Sequence, residues 1–318
     1  MPDKVLIYSR FPKAQLQRFG ERYELLNAAG KRPNEVFSAE ELAGIRALIT
    51  AGGSGRLGAD TMDMLPKLGA IICYGTGYDG IDLAAAAKRN IAVGNSPGAN
   101  AASVADIAVT LMLAAVRRLP VADNYVRSGD WAGAKPSPMM RPQAGMRGRK
   151  VGIYGMGEIG RKIAARVAAF ETEVGYFSRS RHEVPYPYFS SLEALADWCS
   201  ILVIAVRAGA DNKHAVNAEI LRRLGSDGFV VNISRGSVMD EAALVAALSE
   251  QIIAGAGLDV YATEPHAPDA LTALPNVVLT PHIGGHTLES HVAMQDCVLA
   301  NLEAFFAGKP LPYQVRLA

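Results

Sequence analysis

Short, continuously apolar runs recur along the chain, with helical patterns between them. Runs at residues 5–8, 47–50, 70–74, 151–154, 174–177, 201–206, 229–233, 255–260 and 277–280 predict strands. Residues 159–170, 218–224 and 241–249 carry helical spacing. Strands without a polar face, separated by helices, imply parallel sheets covered on both sides. One segment breaks the rhythm. "WAGAKPSPMMRPQAGMRGRK" is rich in Pro and Gly, has no helical period, and predicts an extended crossing over the surface. A new strand–turn–helix unit opens behind it, near Val151.

Length and composition add bounds. A chain of 318 residues is long for one core and favours two domains. Apolar residues at 50% and charged residues at 20% fit a globular protein in water. A net charge of +1 supplies no global field toward nucleic acid or a membrane surface, so neither partner is expected. The start, "MPDKVLIYSR", meets charge at once. The longest apolar run, 107–116, stops at Arg117 and Arg118, short of the ~18 residues of a membrane span. Cys73, Cys199 and Cys297 lie scattered in apolar segments and are expected as buried thiols. The expected location is cytoplasmic, and no metal site is expected.

The strongest local signal is "VGIYGMGEIGRKIAARVAAF". Gly155, Gly157 and Gly160 form a GxGxxG directly after a strand and at the start of a helix. The first glycine allows a tight turn, the second lets backbone approach a pyrophosphate, and the third lets helix and strand pack closely. The helix start offers N–H groups and the positive end of its dipole. Met156, Glu158 and Ile159 complete the cradle. A merely structural turn is the alternative reading, but the strand–turn–helix–strand context favours a dinucleotide.

The next strand ends in "VGYFSRSRHEV". A site for NAD places an Asp or Glu about 20 residues past the glycines, on the ribose 2′-hydroxyl. Here Ser178 stands eighteen residues past Gly160 and Arg179 follows. A carboxylate would repel a 2′-phosphate, whereas a hydroxyl and a guanidinium donate to it. NADP(H) is therefore the expected cofactor, with NAD(H) as a second possibility. Ser178, Arg179 and Ser180 are the candidate readers, with Arg181 and His182 beside them; a solvated basic loop is the alternative.

Three later segments put polar residues just past predicted strands. "VVNISRGSVMDE" gives Arg235, "AGAGLDVYATEP" gives Asp259 and Glu264, and "VVLTPHIGGHT" gives His282. In open α/β sheets, ligands bind outside the carboxyl ends of strands. Beside a nicotinamide, Arg235 can hold a carboxylate and a ketone oxygen. His282 can supply a proton near neutral pH, and Glu264 can orient the imidazole. Taken singly, each of the three has a plain structural reading; their order at successive strand ends carries the argument.

The pieces "GTGYDGID", "ASVADIAVTLMLAAVRR", "VGIYGMGEIGRKIA", "NISRGSVMDEAAL", "AGLDVYATEP" and "LTPHIGGHT" resemble D-isomer-specific 2-hydroxyacid dehydrogenases along essentially the whole chain. The resemblance puts that family's catalytic Arg, Glu and His on Arg235, Glu264 and His282. It implies two Rossmann-like or flavodoxin-like α/β domains with parallel sheets and an active site in the cleft between them. The substrate domain would be residues 1–100 plus 287–318, and the dinucleotide domain 101–286. The substrate carboxylate is expected at Gly52, Gly53 and Ser54 and at Thr76 and Gly77. Val104, Ala205, Val206, Arg207, Ile233, Ser234, Asp259 and Gly284 are expected cofactor neighbours. The helix at 103–118 and the arm after it imply a homodimer. Trp131 would reach the partner's site or serve structure alone.

Two positions depart from the family pattern. "RAGADNKH" follows the strand at 201–206, which leaves open whether Arg207 contacts adenosine or adds charge near a 2′-phosphate. Asp106 stands where Glu is usual. Within the family, the NADP(H) signature implies reduction of glyoxylate or hydroxypyruvate. The alternatives are a broader reductase of bulkier 2-keto acids such as phenylpyruvate, or a dinucleotide-sensing corepressor-like protein. A methyltransferase would have no use for the Arg, Glu and His set.

Overall fold

The computed structural model describes residues 2–52, 57–133, 136–137 and 144–316. The chain divides into two compact units, Met1–Asn100 with His286–Ala318, and Ala101–Gly285.

The first unit runs β1 (Lys4–Ile7), α1 (Lys13–Gly20), β2 (Glu24–Asn27), α2 (Ala39–Ala43), β3 (Ala47–Ala51), α3 (Ala59–Asp63), β4 (Ala70–Tyr74), α4 (Leu83–Lys88) and β5 (Ala92–Gly94). Its sheet is parallel, in the order β2-β1-β3-β4-β5. Alternate side chains feed opposite layers, as strand geometry requires. Leu6, Leu48, Ile71 and Val93 pack on one face; Val5, Ile7, Ile49 and Ile72 pack on the other. The pattern-based prediction omits β2 and β5. β2 is an edge strand with Glu24 and Asn27 exposed, and β5 has three residues, so neither makes a continuous apolar run.

The second unit runs α5 (Ala101–Val116), α6 (Leu119–Arg127), β6 (Lys150–Tyr154), α7 (Glu158–Ala168), β7 (Glu173–Phe177), α8 (Leu192–Trp198) and β8 (Ile201–Ile204). It continues through α9 (Ala218–Leu224), β9 (Phe229–Asn232), α10 (Glu241–Ser249), β10 (Gly255–Leu258), α11 (Asp269–Thr272) and β11 (Val277–Leu279). This sheet is also parallel, in the order β11-β10-β9-β8-β6-β7. In both units the second strand pairs outside the first and the third returns to the first strand's other side. That reversal creates a switch point between β1 and β3 and another between β6 and β8.

The predicted helix at 103–118 is α5, and the arm after it opens with a second helix, α6. α5 stops at Val116, Arg118 adopts a left-handed φ of 50°, and Pro120 in the first turn of α6 has no N–H for a continuing helix. α5 lies close on the sheet: a Cβ at Gly257 of β10 would come within 2.9 Å of Leu111 Cβ. Asp106 of α5 receives a 2.6 Å bond from Arg166 Nε of α7, so this shorter carboxylate ties two helices together. Among the described residues, no helix is long and apolar enough to cross a membrane. Within the "WAGAKPSPMMRPQAGMRGRK" segment, residues 134–135 and 138–143 lie outside the described residues.

The last helix, α12 (Leu288–Phe306), belongs to the first unit, where Val298, Leu299 and Leu302 join the apolar layer against β4. Asn301 is fully buried; it donates to the Asn95 carbonyl at 3.2 Å and accepts from the Tyr313 N–H at 3.1 Å. Asn301→Ala strips partners from two backbone groups, at about 1–3 kcal/mol each. Chemical denaturation of the variant is expected to show a loss of that size.

Candidate active site

The glycine loop connects β6 to α7. Gly155 has a φ of +105°, and a Cβ there would come within 2.7 Å of the Ala205 oxygen and 2.8 Å of Val206 Cα. The loop therefore passes directly over the end of β8. The strand predicted to reach residue 206 in fact ends at Ile204, because Ala205 and Val206 leave the sheet to make this crossing. The Gly155 N–H donates to the Phe177 carbonyl at 2.8 Å, tying the loop to β7 as well. Gly160 lies hard against the Gly155 carbonyl oxygen, so a side chain there would push α7 off the strand. Gly157 is the contrast: a Cβ built on it meets no described atom within 4 Å. Gly157 is the N-cap of α7, and no side-chain cap is made there among the described residues. The space beside Gly157 and the uncapped helix start suit a pyrophosphate. Met156 contributes backbone alone, because its side chain is fully buried in an apolar layer.

Past β7, the Ser178 hydroxyl donates to the Ser180 carbonyl at 2.7 Å and so shapes its own loop. The Tyr176 hydroxyl closes the loop by bonding both the N–H and the carbonyl of His182. Arg161 Nη2 lies 3.4 Å from His182 Nδ1. Arg179 extends from the loop with Nη1 3.9 Å from Asp211 Oδ2. Arg207, in the loop past β8, gives its carbonyl to Asn212 Nδ2.

At the end of β9, buried Asn232 folds the chain back on itself. Its Oδ1 accepts from the Ser234 N–H at 3.0 Å and its Nδ2 donates to the Arg235 carbonyl at 3.0 Å. The Ser234 hydroxyl donates to the Val206 carbonyl. Gly236 then runs flush against the backbone of Tyr261 and Ala262, where any side chain would collide. This contact brings the Arg235 turn beside the loop that carries Glu264.

That loop is held twice over. The Ala262 N–H donates to Glu241 Oε1 at 2.7 Å, and the Tyr261 N–H donates to Glu264 Oε1 at 3.1 Å. The second oxygen of Glu264, Oε2, lies 2.7 Å from His282 Nδ1. Burial pushes the Glu264 carboxyl up, but the His282 bond and charge, the Tyr261 N–H and the Arg235 charge outweigh it. The net displacement is below the usual 4.5. An ionised carboxylate can only accept, so His282 Nδ1 carries the hydrogen of this bond, and Nε2 is the nitrogen left to exchange a proton. Arg235, Glu264 and His282 thus come together in the second unit.

His282 has a left-handed φ of 53°, uncommon for a residue with a Cβ. Asp259, 2% exposed, holds that turn. Its Oδ1 accepts from the Thr280 hydroxyl at 2.6 Å and the Ile283 N–H at 2.8 Å; its Oδ2 accepts from the Gly284 N–H at 2.9 Å. Asp259 is expected as a cofactor contact; within the chain itself it clamps the His282 loop. Gly284 makes the fit possible, since a Cβ there would press on Asp259 Oδ2 at 3.0 Å and on Val104 at 3.4 Å. Ile233, predicted beside the cofactor, is buried in the same apolar layer as Val104. Asn232, Gly236, Glu241 and Thr280 escaped the sequence reading. A polar Asn closing an apolar strand was the one available signal.

The first unit carries the other predicted loops. Gly52 packs flush on the Gly77 carbonyl, to which Cys73 Sγ also donates at 2.9 Å. The Thr76 hydroxyl reaches Asn100 Oδ1 at 2.8 Å and the Ser96 carbonyl at 3.1 Å. Both loops leave the carboxyl ends of β3 and β4, beside the switch point of their sheet. Gly53 and Ser54 lie outside the described residues. Trp131 is 70% exposed on its own unit.

Comparison with known proteins agrees with this geometry. Residues 109–284 match the family model described as "D-isomer specific 2-hydroxyacid dehydrogenase, NAD binding domain". A 2-ketogluconate reductase of Gluconobacter oxydans is 44% identical over 84% of this chain and 85% of its own length. A hydroxyphenylpyruvate reductase of Plectranthus scutellarioides is 38% identical over 93% of each. A crystal structure of an NADPH-dependent glyoxylate/hydroxypyruvate reductase from Sinorhizobium meliloti, in complex with NADP and malonate, superposes with a TM-score of 0.91. It is 36% identical, over 99% of this chain and 97% of that one.

Asp259→Asn turns one acceptor into a donor aimed at an N–H or hydroxyl that is itself a donor. A loss of about 1–3 kcal/mol is expected, read by chemical denaturation.

Proposed function

Because this chain belongs to the D-isomer specific 2-hydroxyacid dehydrogenase family, we propose that it reduces glyoxylate or hydroxypyruvate, with NADPH, to glycolate or D-glycerate. The observation that carries the chemistry is the 2.7 Å bond from His282 to Glu264 within reach of the Arg235 charge. When bound, the nicotinamide supplies the hydride that reaches the ketone carbon. Arg235 holds the substrate carboxylate and draws electron density toward the ketone oxygen. His282 gives the proton from Nε2 to that oxygen as the carbon is reduced, and Glu264 steadies the imidazolium left on the way. Asp259 keeps the imidazole at its post without entering the chemistry. In the first unit, the loops at Gly52 and at Thr76 and Gly77 offer backbone suited to close approach by a small anion.

The NADPH preference rests on the loop past β7, where Ser178, Arg179 and Arg181 stand in place of a carboxylate. The NADP-bound relative supports it, and NAD(H) serves as a second donor. Leu119, Val126 and Trp131 leave an exposed apolar stripe on α6 and the arm, which supports a homodimer through that element. The three cysteines form no disulfide among the described residues, in keeping with a cytoplasmic setting.

A second reading has a specific footing. The relatives named 2-ketogluconate and hydroxyphenylpyruvate reductases act on larger 2-keto acids, which favours a wider substrate range. Turnover of glyoxylate, hydroxypyruvate, 2-ketogluconate and hydroxyphenylpyruvate with each cofactor decides between them. A dinucleotide-sensing binding protein would bind cofactor and turn over none of the four.

His282→Ala is expected to lower kcat by roughly 10²–10⁴-fold while NADPH still binds by fluorescence titration. A rate near that of the parent at neutral pH would remove His282 from its role. Glu264 makes a pH prediction. Its folded value lies below its unfolded one, so its charge adds stability above pH 4.5 that is lost as pH falls through the folded value. The melting-temperature gap between the parent and Glu264→Gln should therefore close as pH drops below that range.

A further inference from the structure

The turn Ala210–Asn212, past β8, is the part of the loop that departs from the family pattern. Buried Asn212 sets its position. Oδ1 of Asn212 accepts from the Gly209 N–H at 2.8 Å, and Nδ2 donates to the Arg207 carbonyl at 2.8 Å. Farther on, the His214 and Val216 N–H groups donate to the Ser237 and Val238 carbonyls, which fastens the loop to the chain following β9. From this base Asp211 Oδ2 lies 3.9 Å from Arg179 Nη1. Tyr154, at the end of β6, belongs to the same group. Its hydroxyl is pushed up mainly by burial, against the lowering influence of the Asn212 side chain, and feels the charges of Asp211 and Arg179. Its ring stacks on Phe177, the last residue of β7, at 5.5 Å.

We infer that Asp211 is a second determinant of cofactor choice, a counter-ion that holds Arg179 and tempers the preference for NADP(H). The inference rests on the reading that Arg179 receives the 2′-phosphate. A phosphate monoester carries about −1.5 to −2 charge near neutral pH. To pair with Arg179 it must take the guanidinium from Asp211 and then sit within a Debye length of that carboxylate. A ribose 2′-hydroxyl brings no charge and meets no such repulsion. Arg179 therefore favours the phosphorylated cofactor, while Asp211, on a separately anchored loop, favours the plain one. The opposition leaves room for NAD(H). Both side chains are largely exposed, 79% and 65%, which keeps the effect modest and sensitive to salt.

The test reads binding, not turnover. Adenosine 2′,5′-bisphosphate and 5′-AMP are titrated calorimetrically into the full chain and its variants. Asp211→Asn, with Asp211→Ser as a second variant should the first fold poorly, is expected to bind the bisphosphate about 2–5-fold more tightly. Binding of 5′-AMP is expected to stay the same, and the gain to shrink at high salt. In an Arg179→Gln background the gain should vanish. A gain that persists there overturns the route through Arg179. If Arg179→Gln weakens bisphosphate binding but neither Asp211 variant strengthens it, the reader stands and the role of Asp211 falls. If Arg179→Gln leaves bisphosphate binding unchanged, both fall.

Discussion

The buried carboxylate of Asp259 is the interaction on which the site depends. An isolated charge at 2% exposure would cost several kcal/mol, and the protein offsets this with three donors from one short stretch: Thr280, Ile283 and Gly284. Those donors bracket His282. Satisfying Asp259 therefore sets the turn of the chain at 280–284, including the left-handed backbone of His282. A residue with a Cβ adopts that conformation at a cost of order 1–3 kcal/mol, sustained only where the surroundings over-determine it. The clamp supplies that over-determination, and the imidazole meets Glu264 as a consequence.

The clamp sits where it does because of strand order. In both sheets the chain reverses direction across the first strand, and the loops past that reversal are the ones free to meet a ligand. In the second unit these loops come from β6, β8, β9, β10 and β11, and close contacts at glycines tie them to their neighbours. Gly155 crosses Ala205 and Val206, Gly236 lies on Tyr261 and Ala262, and Gly284 presses on Asp259 and Val104. Glycine at these points is a packing requirement. Each removes a Cβ from a place where two chain segments touch, so that loops distant in sequence behave as one body.

Much of this was legible in the residues. Nine continuous apolar runs announced the parallel strands, and the GxGxxG with its strand and helix announced the cradle. Arg235, Glu264 and His282 could be named from their places past successive strands, since sheet topology brings such positions together whatever their separation in sequence. What stayed hidden depends on pairings that sequence does not display. Edge strand β2 buries little and leaves no periodic trace. Helix α6 stayed hidden as well: the apolar run stops at Arg117 and Arg118, and Pro120 in the first turn of a new helix looks the same in sequence as a helix breaker. Asp259 is legible as a polar residue at a strand end, where a cofactor contact is expected; the three donors that also make it a clamp are pairings the sequence does not display.

Three carboxylates of the second unit show how surroundings divide one chemistry among different tasks. Asp259 is buried and surrounded by donors, so its charge is consumed in holding backbone. Glu264, half-exposed, spends one oxygen on the Tyr261 N–H and keeps the other for an imidazole, so its charge is shared between backbone and side chain. Asp211 is exposed and meets a single guanidinium at 3.9 Å, so its charge stays available and can be displaced. Burial and donor count thus rank the three from rigid to exchangeable. The exchangeable one lies on the loop that departs from the family pattern, beside Arg179, the arginine proposed to read a 2′-phosphate. A substitution at that loop leaves the clamp and His282 in place, because among the described residues no hydrogen bond joins Asp211 to either.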